Sequence, residues 1–179
     1  MRSDLTERLK SSIREVPNFP KAGVNFYDIT TALKNGVLFA DVIDFFKLRY
    51  AGQSIDAIVG VEARGFIFAA ALAYSMKCSF IPIRKTDKLP AQVIRAGYNT
   101  EYSRDTIEMH QDALQKGQRV ILIDDVLATG GTAKSSIELI HQLGGVVHEA
   151  GFLIELPFLN GRTAISTISS VPVFSLLVY

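Results

Sequence analysis

The chain lacks the features of secreted, membrane and nucleic-acid-coating proteins. Cys78 is its only cysteine, which excludes an intrachain disulfide and a cysteine-based zinc site. The 19 Lys and Arg residues and 18 Asp and Glu residues leave a net charge of +1, without the basic excess that general nucleic-acid binding needs. No apolar run reaches the roughly 18 residues of a membrane span, and the first residues contain no apolar signal core. We therefore expect a cytoplasmic protein with no nucleic-acid or membrane partner.

Hydrophobic residues, in contrast, are plentiful. The chain has 179 residues, of which 48% are hydrophobic, enough for one ordinary domain with its own core. Apolar runs at 57–61 and 120–123 are typical of strands buried on both faces, and a helical pattern follows each run. This alternation predicts an α/β fold with a central, mostly parallel sheet flanked by helices. No linker interrupts the chain, so residues 1–179 are expected to form one domain.

Polar loops follow three of the predicted strands, at the edge where open parallel sheets bind ligands. These loops are residues 62–65, 84–104 and 124–132. The second is polar and basic, and a loop of about 20 residues in a compact domain is usually functional. Nearer the start of the chain, a helix over 4–16 and an ordered loop over 17–30 are expected to precede a helix over 37–50.

The third loop has the composition of an anion site. Its sequence is Asp124-Asp125-Val126-Leu127-Ala128-Thr129-Gly130-Gly131-Thr132. Small residues let the backbone turn tightly, so that successive N–H groups and a helix N-terminus point at one phosphate. The string matches neither the Walker A loop nor the dinucleotide GxGxxG pattern. We interpret Ala128, Thr129, Gly130, Gly131 and Thr132 as a site for a 5′-phosphate.

The two acids before this loop would repel a bare polyphosphate. They suit a ligand whose hydroxyl groups lie a few ångströms from its phosphate, such as a ribose 5-phosphate. Adjacent acids at a strand end can instead be helix caps or solvated residues. Within the complete string, we interpret Asp124 and Asp125 as acceptors for the ribose hydroxyls.

This string closely resembles the phosphoribosyl-pyrophosphate motif of the type I phosphoribosyltransferases. Other segments resemble those of the adenine phosphoribosyltransferase family, in family order along nearly the whole chain. They are Phe19 to Thr30, Arg64-Gly65-Phe66, Ile83-Arg84-Lys85, Lys88-Leu89-Pro90, Glu101-Tyr102 and Phe174 to Leu177. The resemblance implies the type I fold, with an N-terminal hood of residues 1–35 over the base site and a mobile catalytic loop of residues 84–105.

The resemblance also implies a reaction and its residues. Adenine and 5-phosphoribosyl 1-pyrophosphate would give AMP and pyrophosphate in purine salvage, with Mg²⁺ held mainly by substrate oxygens and water rather than by protein ligands. The developing positive charge at C1′ would be stabilised by Asp124 and Asp125, and Glu101 would act as general acid or base at adenine. The expected pyrophosphate-binding residues are Arg64, Arg84, Lys85, Lys88 and Tyr102. A homodimer is expected, with Arg84 reaching the site of the neighbouring subunit.

Asn25, Phe26 and Tyr27 are the expected adenine contacts, although Phe26 alone could be a core residue. Ala22 stands where the family commonly has proline, and Tyr27 where it often has arginine, so the specificity for adenine depends here on backbone contacts. Two other functions stay open. One is transfer to hypoxanthine, guanine or xanthine, and the other is a non-catalytic regulator with the same fold.

Overall fold

The computed structural model describes residues 2–99 and 104–179, and the chain divides into two compact units. The first unit comprises residues 1–51 and the second residues 52–179. One domain with a hood of residues 1–35 stays a prediction. Within the first unit, α3 (Gly36–Arg49) packs on α1 (Arg2–Ser12).

The first unit combines three helices with a two-stranded ribbon. In chain order its elements are α1, β1 (Arg14–Pro17), β2 (Asn25–Asp28), α2 (Thr30–Leu33) and α3. Leu5, Leu9 and Ile13 are buried, as their spacing predicts. The predicted first helix nevertheless ends at Ser12, and the predicted loop over 17–30 contains β2, because β1 and β2 pair antiparallel.

A seven-stranded sheet forms the centre of the second unit. Its strands are β3 (Ala57–Val61), β4 (Ser79–Lys85), β5 (Val93–Asn99), β6 (Arg104–His110), β7 (Arg119–Leu127), β8 (Val146–Glu155) and β9 (Val173–Val178), in the spatial order β5-β6-β4-β3-β7-β8-β9. The ladders β3–β4, β3–β7, β7–β8 and β8–β9 are parallel, and those of β6 with β4 and β5 are antiparallel. The prediction of a mostly parallel sheet is confirmed.

Helices connect these strands: α4 (Gly65–Met76), α5 (Gly131–Gln142) and α6 (Gly161–Ser166). The core lies along β3 and β7, where Ile58, Val59, Ile121 and Leu122 are fully buried. Both strands are covered on both faces, which explains their continuous apolar runs. Among the described residues, no helix is long and apolar enough to cross a membrane.

The segment predicted as a loop over 84–104 contains strand β5 and the adjoining ends of β4 and β6. Strand β4 continues to Lys85, and β5 pairs with β6 from Val93 opposite His110 to Asn99 opposite Arg104. Ile94 and Ala96, two positions apart, both pack against the core. Residues at this spacing lie on one face of a strand, which explains why the segment forms a strand despite its polar residues. The mobility of residues 84–105 stays a prediction.

Candidate functional site

The predicted phosphate loop connects β7 to α5 and lines a small pocket. The pocket has a volume of ≈ 60 Å³ and is lined by Asp124, Val126 to Ala133 and Phe152. Gly130 is the residue before α5 and adopts φ +80°, a conformation that L side chains rarely adopt. The N-terminus of a 12-residue helix therefore opens into a pocket built from small residues, an arrangement that suits a phosphate group.

The two acids lie within β7, whereas the sequence suggested a loop after it. Asp124 pairs with Phe152 of β8, and Val126 and Leu127 continue the ladder. Although successive side chains of a strand point to opposite faces, the carboxylates of Asp124 and Asp125 come close enough to interact directly. Asp125 is 4% exposed and its Oδ2 lies 2.6 Å from Nε of Arg64. The contact is an ion pair without hydrogen-bond alignment, and among the described residues none donates a hydrogen bond to that oxygen.

Burial strongly affects the ionisation of both acids. Burial, followed by the charge of Asp125, raises the pKa of Asp124 well above its ordinary value. Burial also raises the pKa of Asp125, although the Arg64 guanidinium acts in the opposite direction. Two carboxylates held close together in a poorly solvated position favour a cationic or hydrogen-bond-donating ligand beside them.

The turn between β3 and α4 approaches this acid pair closely. A Cβ atom built on Gly65 would lie 2.8 Å from Oδ1 of Asp124 and 2.9 Å from the carbonyl oxygen of Ile123. Only glycine allows this approach, which places Arg64, the residue before α4, beside Asp125. The structure thus brings together Arg64, the acid pair and the start of the phosphate loop.

Arg84 and Lys85 lie at the end of β4 and are held by Glu62 of the turn after β3. The Arg84 guanidinium donates to both carboxylate oxygens of Glu62 at 3.2 Å, and the Lys85 N–H donates to Oε2 at 3.0 Å. Burial alone would raise the pKa of Glu62, but these donors outweigh it and hold the pKa below its ordinary value. Arg84 and Lys85 are therefore attached to the turn that carries Arg64.

Glu108 holds residues 88–95, the part of the chain that follows Arg84 and Lys85. It is fully buried in β6, and its Oε1 accepts the N–H groups of Lys88 at 3.0 Å and Leu89 at 3.1 Å, while Oε2 accepts Nε of Arg95 at 3.2 Å. Burial alone would raise the pKa of Glu108, but these bonds together lower it. The sequence does not indicate a role for Glu62 or Glu108, because only the fold shows which donors converge on them.

The predicted adenine contacts lie in β2 of the first unit. Nδ2 of Asn25 donates to Glu15 at 3.2 Å, and Phe26 packs edge-to-face on Phe19 with ring centroids 5.3 Å apart. Phe26 and Tyr27 are half-buried. Two other predicted site residues, Glu101 and Tyr102, lie outside the described residues.

Within residues 2–99 and 104–179, no group of three or more His, Cys, Asp or Glu side chains could hold a metal ion. Asp124 and Asp125 nevertheless provide the oxygen donors that Mg²⁺ accepts when substrate phosphates and water supply the other ligands. The residues present therefore fit an ion shared with a phosphorylated substrate.

Comparisons with known proteins agree with this geometry. The family model described as "Phosphoribosyl transferase domain" matches residues 31–153. An adenine phosphoribosyltransferase from Acidobacterium capsulatum is 50% identical over 97% of this chain and 94% of its own length. The crystal structure of adenine phosphoribosyltransferase from Thermoanaerobacter pseudethanolicus is 43% identical, with a TM-score of 0.92 over 97% of this chain and 99% of that one. The enzyme from Saccharomyces cerevisiae, complexed with adenine and an imino-altritol bisphosphate, is 39% identical over 98% of this chain and 99% of that one, with a TM-score of 0.92.

Proposed function

This chain belongs to the adenine phosphoribosyltransferase family, and we propose that it transfers the phosphoribosyl group of 5-phosphoribosyl 1-pyrophosphate to N9 of adenine, giving AMP and pyrophosphate. Of the structural observations, the one that carries this proposal is the pocket of Asp124, Val126 to Ala133 and Phe152, where a glycine-rich helix start meets the half-buried carboxylate of Asp124. It combines donors for a phosphate with acceptors for hydroxyl groups next to it.

The phosphate pocket fixes the substrate in place. Backbone N–H groups of residues 128–132 and the hydroxyl groups of Thr129 and Thr132 would bind the 5′-phosphate, aided by the partial positive charge of the α5 N-terminus. With that end held, C1′ stays at a constant distance from the acids. Positioning of this kind turns the attack of the base into an effectively intramolecular step.

Asp124 and Asp125 would act on the ribose. Their carboxylates can accept its hydroxyl groups, and their negative charge favours the cation that develops at C1′ as the bond to pyrophosphate breaks. Arg64, Arg84, Lys85 and Lys88 would bind the departing pyrophosphate, with Tyr102 as a further contact. In this role Arg84 exchanges the Glu62 carboxylate for a phosphate oxygen. As the resemblance implies, Arg84 is proposed to act in the site of the neighbouring subunit.

Asn25, Phe26 and Tyr27 are proposed to bind adenine, with the Phe26 ring against the purine. Glu101 is proposed as the general acid or base at the purine ring. Residues 84–105 are proposed to close over bound substrates and exclude water from the cationic centre. These roles rest on the family resemblance.

Mg²⁺ is the proposed cofactor, and it would neutralise charge on the pyrophosphate when bound. Substrate oxygens and water would hold most of its positions, and Asp124 and Asp125 are the residues that could supply further oxygen ligands. The cytoplasm is the proposed compartment, because a highly charged sugar pyrophosphate does not cross membranes unaided.

A homodimer is proposed from the family resemblance and from exposed apolar side chains on α4. Ile67 and Tyr74 lie two turns apart on the same face of that helix and are 39% and 88% exposed. Apolar side chains that share an exposed face are typical of protein contact surfaces. A second copy of this chain would cover them.

The reaction is tested by incubating the purified chain with Mg²⁺, 5-phosphoribosyl 1-pyrophosphate and each purine in turn. We expect AMP and pyrophosphate with adenine, and much slower product formation with hypoxanthine, guanine or xanthine. Faster use of one of those purines would contradict adenine as the substrate. Ligand binding without any pyrophosphate release would favour the regulator.

Replacing Glu101 with glutamine tests the acid–base assignment. Glu101→Gln retains the size of the side chain but cannot take up a proton, so we expect kcat to fall by about 10²-fold or more while the KM for 5-phosphoribosyl 1-pyrophosphate changes little. Steady-state kinetics with both substrates varied measures this, and Glu138→Gln on α5 is the control. Full turnover in Glu101→Gln would remove Glu101 from the chemistry.

A further inference from the structure

The outer side of the phosphate loop lies directly against the start of α6. A Cβ atom built on Gly130 would lie 2.5 Å from the carbonyl oxygen of Gly161 and 3.1 Å from Cβ of Ala164. In the other direction, a Cβ atom built on Gly161 would overlap the carbonyl oxygen of Ala128 and lie 2.8 Å from Cδ1 of Leu127. Two glycines therefore allow the loop and α6 to touch backbone to backbone.

A bidentate ion pair between Arg162 and Glu155, called the arginine fork below, holds α6 in this position. Arg162 donates through Nε and Nη2 to the two carboxylate oxygens of Glu155, at 2.6 and 2.7 Å, and through Nη1 to the carbonyl oxygen of Val173 at 2.7 Å. Glu155 is 4% exposed, so this pair is shielded from solvent on the carboxylate side. A bidentate pair fixes orientation as well as distance.

The fork connects to the phosphate loop through the sheet. Glu155 is the ladder partner of Leu127, the residue directly before Ala128, and the Leu156 N–H donates to the Leu127 carbonyl oxygen at 3.0 Å. The first residue of the loop and the first turn of α6 are thus both anchored to the last residues of β8. A shift of α6 would push on the loop, because there is no gap between them to absorb it.

We propose that Gly161 is a positioning residue for the 5′-phosphate site, and that the fork of Arg162 and Glu155 keeps it there. This inference rests on the proposed function, because it takes residues 128–132 as the phosphate-binding loop. Gly161 is not among the residues that line the pocket. Its effect on the ligand passes through Ala128 and Gly130.

Binding of ribose 5-phosphate to the full chain, measured by isothermal titration calorimetry, tests the proposal. For Gly161→Ala we expect the Kd to rise at least tenfold, with a matching rise in the KM for 5-phosphoribosyl 1-pyrophosphate and an unchanged KM for adenine. Gly36→Ala is the matched control, because a Cβ atom there meets nothing within 4 Å, and it should leave all three values unchanged. A purely structural defect would instead lower the active fraction and leave the Kd and both KM values of the remainder alone.

Arg162→Met provides a second test in case Gly161→Ala fails to fold. It keeps Gly161 and the length of the side chain but removes the fork, and we expect a several-fold rise in the same Kd with an unchanged circular dichroism spectrum. Wild-type affinity in a folded Gly161→Ala or Arg162→Met variant would overturn the inference and leave the proposed function intact. Failure of the wild-type chain to bind ribose 5-phosphate would overturn the proposed function itself, and this inference with it.

Discussion

Gly130→Ala is expected to lower kcat/KM for 5-phosphoribosyl 1-pyrophosphate by about 10²-fold or more. The new methyl group would lie 2.5 Å from the carbonyl oxygen of Gly161, so the loop has to move away from α6. A displacement of about 1 Å at a substrate-positioning group can cost about 10²-fold in rate. The loss should appear mainly in the KM for this substrate, since the 5′-phosphate is bound in the ground state as well as in the transition state.

Gly130→Ala also introduces backbone strain. The variant Gly117→Ala distinguishes the effect of this strain from the effect of the loop displacement. Gly117 has φ +86° but a Cβ atom there meets nothing within 4 Å, whereas Gly130 has both the positive φ of +80° and the close contact. Each variant should lose about 1–2 kcal/mol of stability from its left-handed conformation. Only Gly130→Ala should lose activity in steady-state assays. Equal loss of activity in both variants would mean that strain, not loop position, is responsible.

Asp124→Asn is expected to reduce activity and to increase stability at neutral pH. The amide removes a negative charge near the developing cation, so kcat should fall by about 10²- to 10³-fold, the range seen when one transition-state electrostatic contact is lost. Oδ1 of Asn can still accept the Asp125 N–H, which now bonds to Asp124 at 2.9 Å. The backbone geometry of β7 is therefore retained.

The direction of the stability change follows from the raised pKa of Asp124. Because the folded chain binds this proton more tightly than the unfolded chain, stability present below the ordinary pKa of 3.8 is lost as the pH rises through the raised value. Asn does not titrate and escapes that loss. A gain of about 1 kcal/mol would raise Tm by about 2–4 °C in a chain of this size.

Thermal unfolding of wild type and Asp124→Asn across a pH series measures this difference. The advantage of the variant should be largest at neutral pH and should shrink as the pH falls toward 3.8. Asp112→Asn, on an exposed side chain, serves as the control for the substitution itself. A variant less stable than wild type at neutral pH would contradict the raised pKa.

The parts of the fold that the sequence predicts are those where burial decides the pattern. The run 57–61 is apolar throughout because β3 has a strand on each side and helices on its faces, so no position can be polar. The small residues of 128–132 predict a tight turn before a helix, and the structure has β7 ending at Leu127 and α5 beginning at Gly131. Binding of a phosphate by this turn stays a prediction.

The remaining parts depend on partners that are distant in the sequence. Asp124 and Asp125 read as loop residues because charged side chains rarely continue a buried strand, yet the ladder with β8 extends β7 past them. The sequence does not predict strand β5, because its alternation uses Ala96 as a core residue, which is a weak signal. Gly161 is an ordinary turn glycine in the sequence, and only the packing against Ala128 gives it a role.

Because the acid pair lies within a paired strand, the main chain that carries it is already ordered before any ligand arrives. Leu127 is tied to β8 on the pocket side, and Asp124 is tied to it at Phe152. The conformational entropy lost on binding at this position is therefore that of the sugar, which becomes fixed in one conformation, and not that of the polypeptide. Tighter binding at Asp124 and Asp125, whether by evolution or by design, can therefore come only from changing side chains. The main chain that carries them is already fixed.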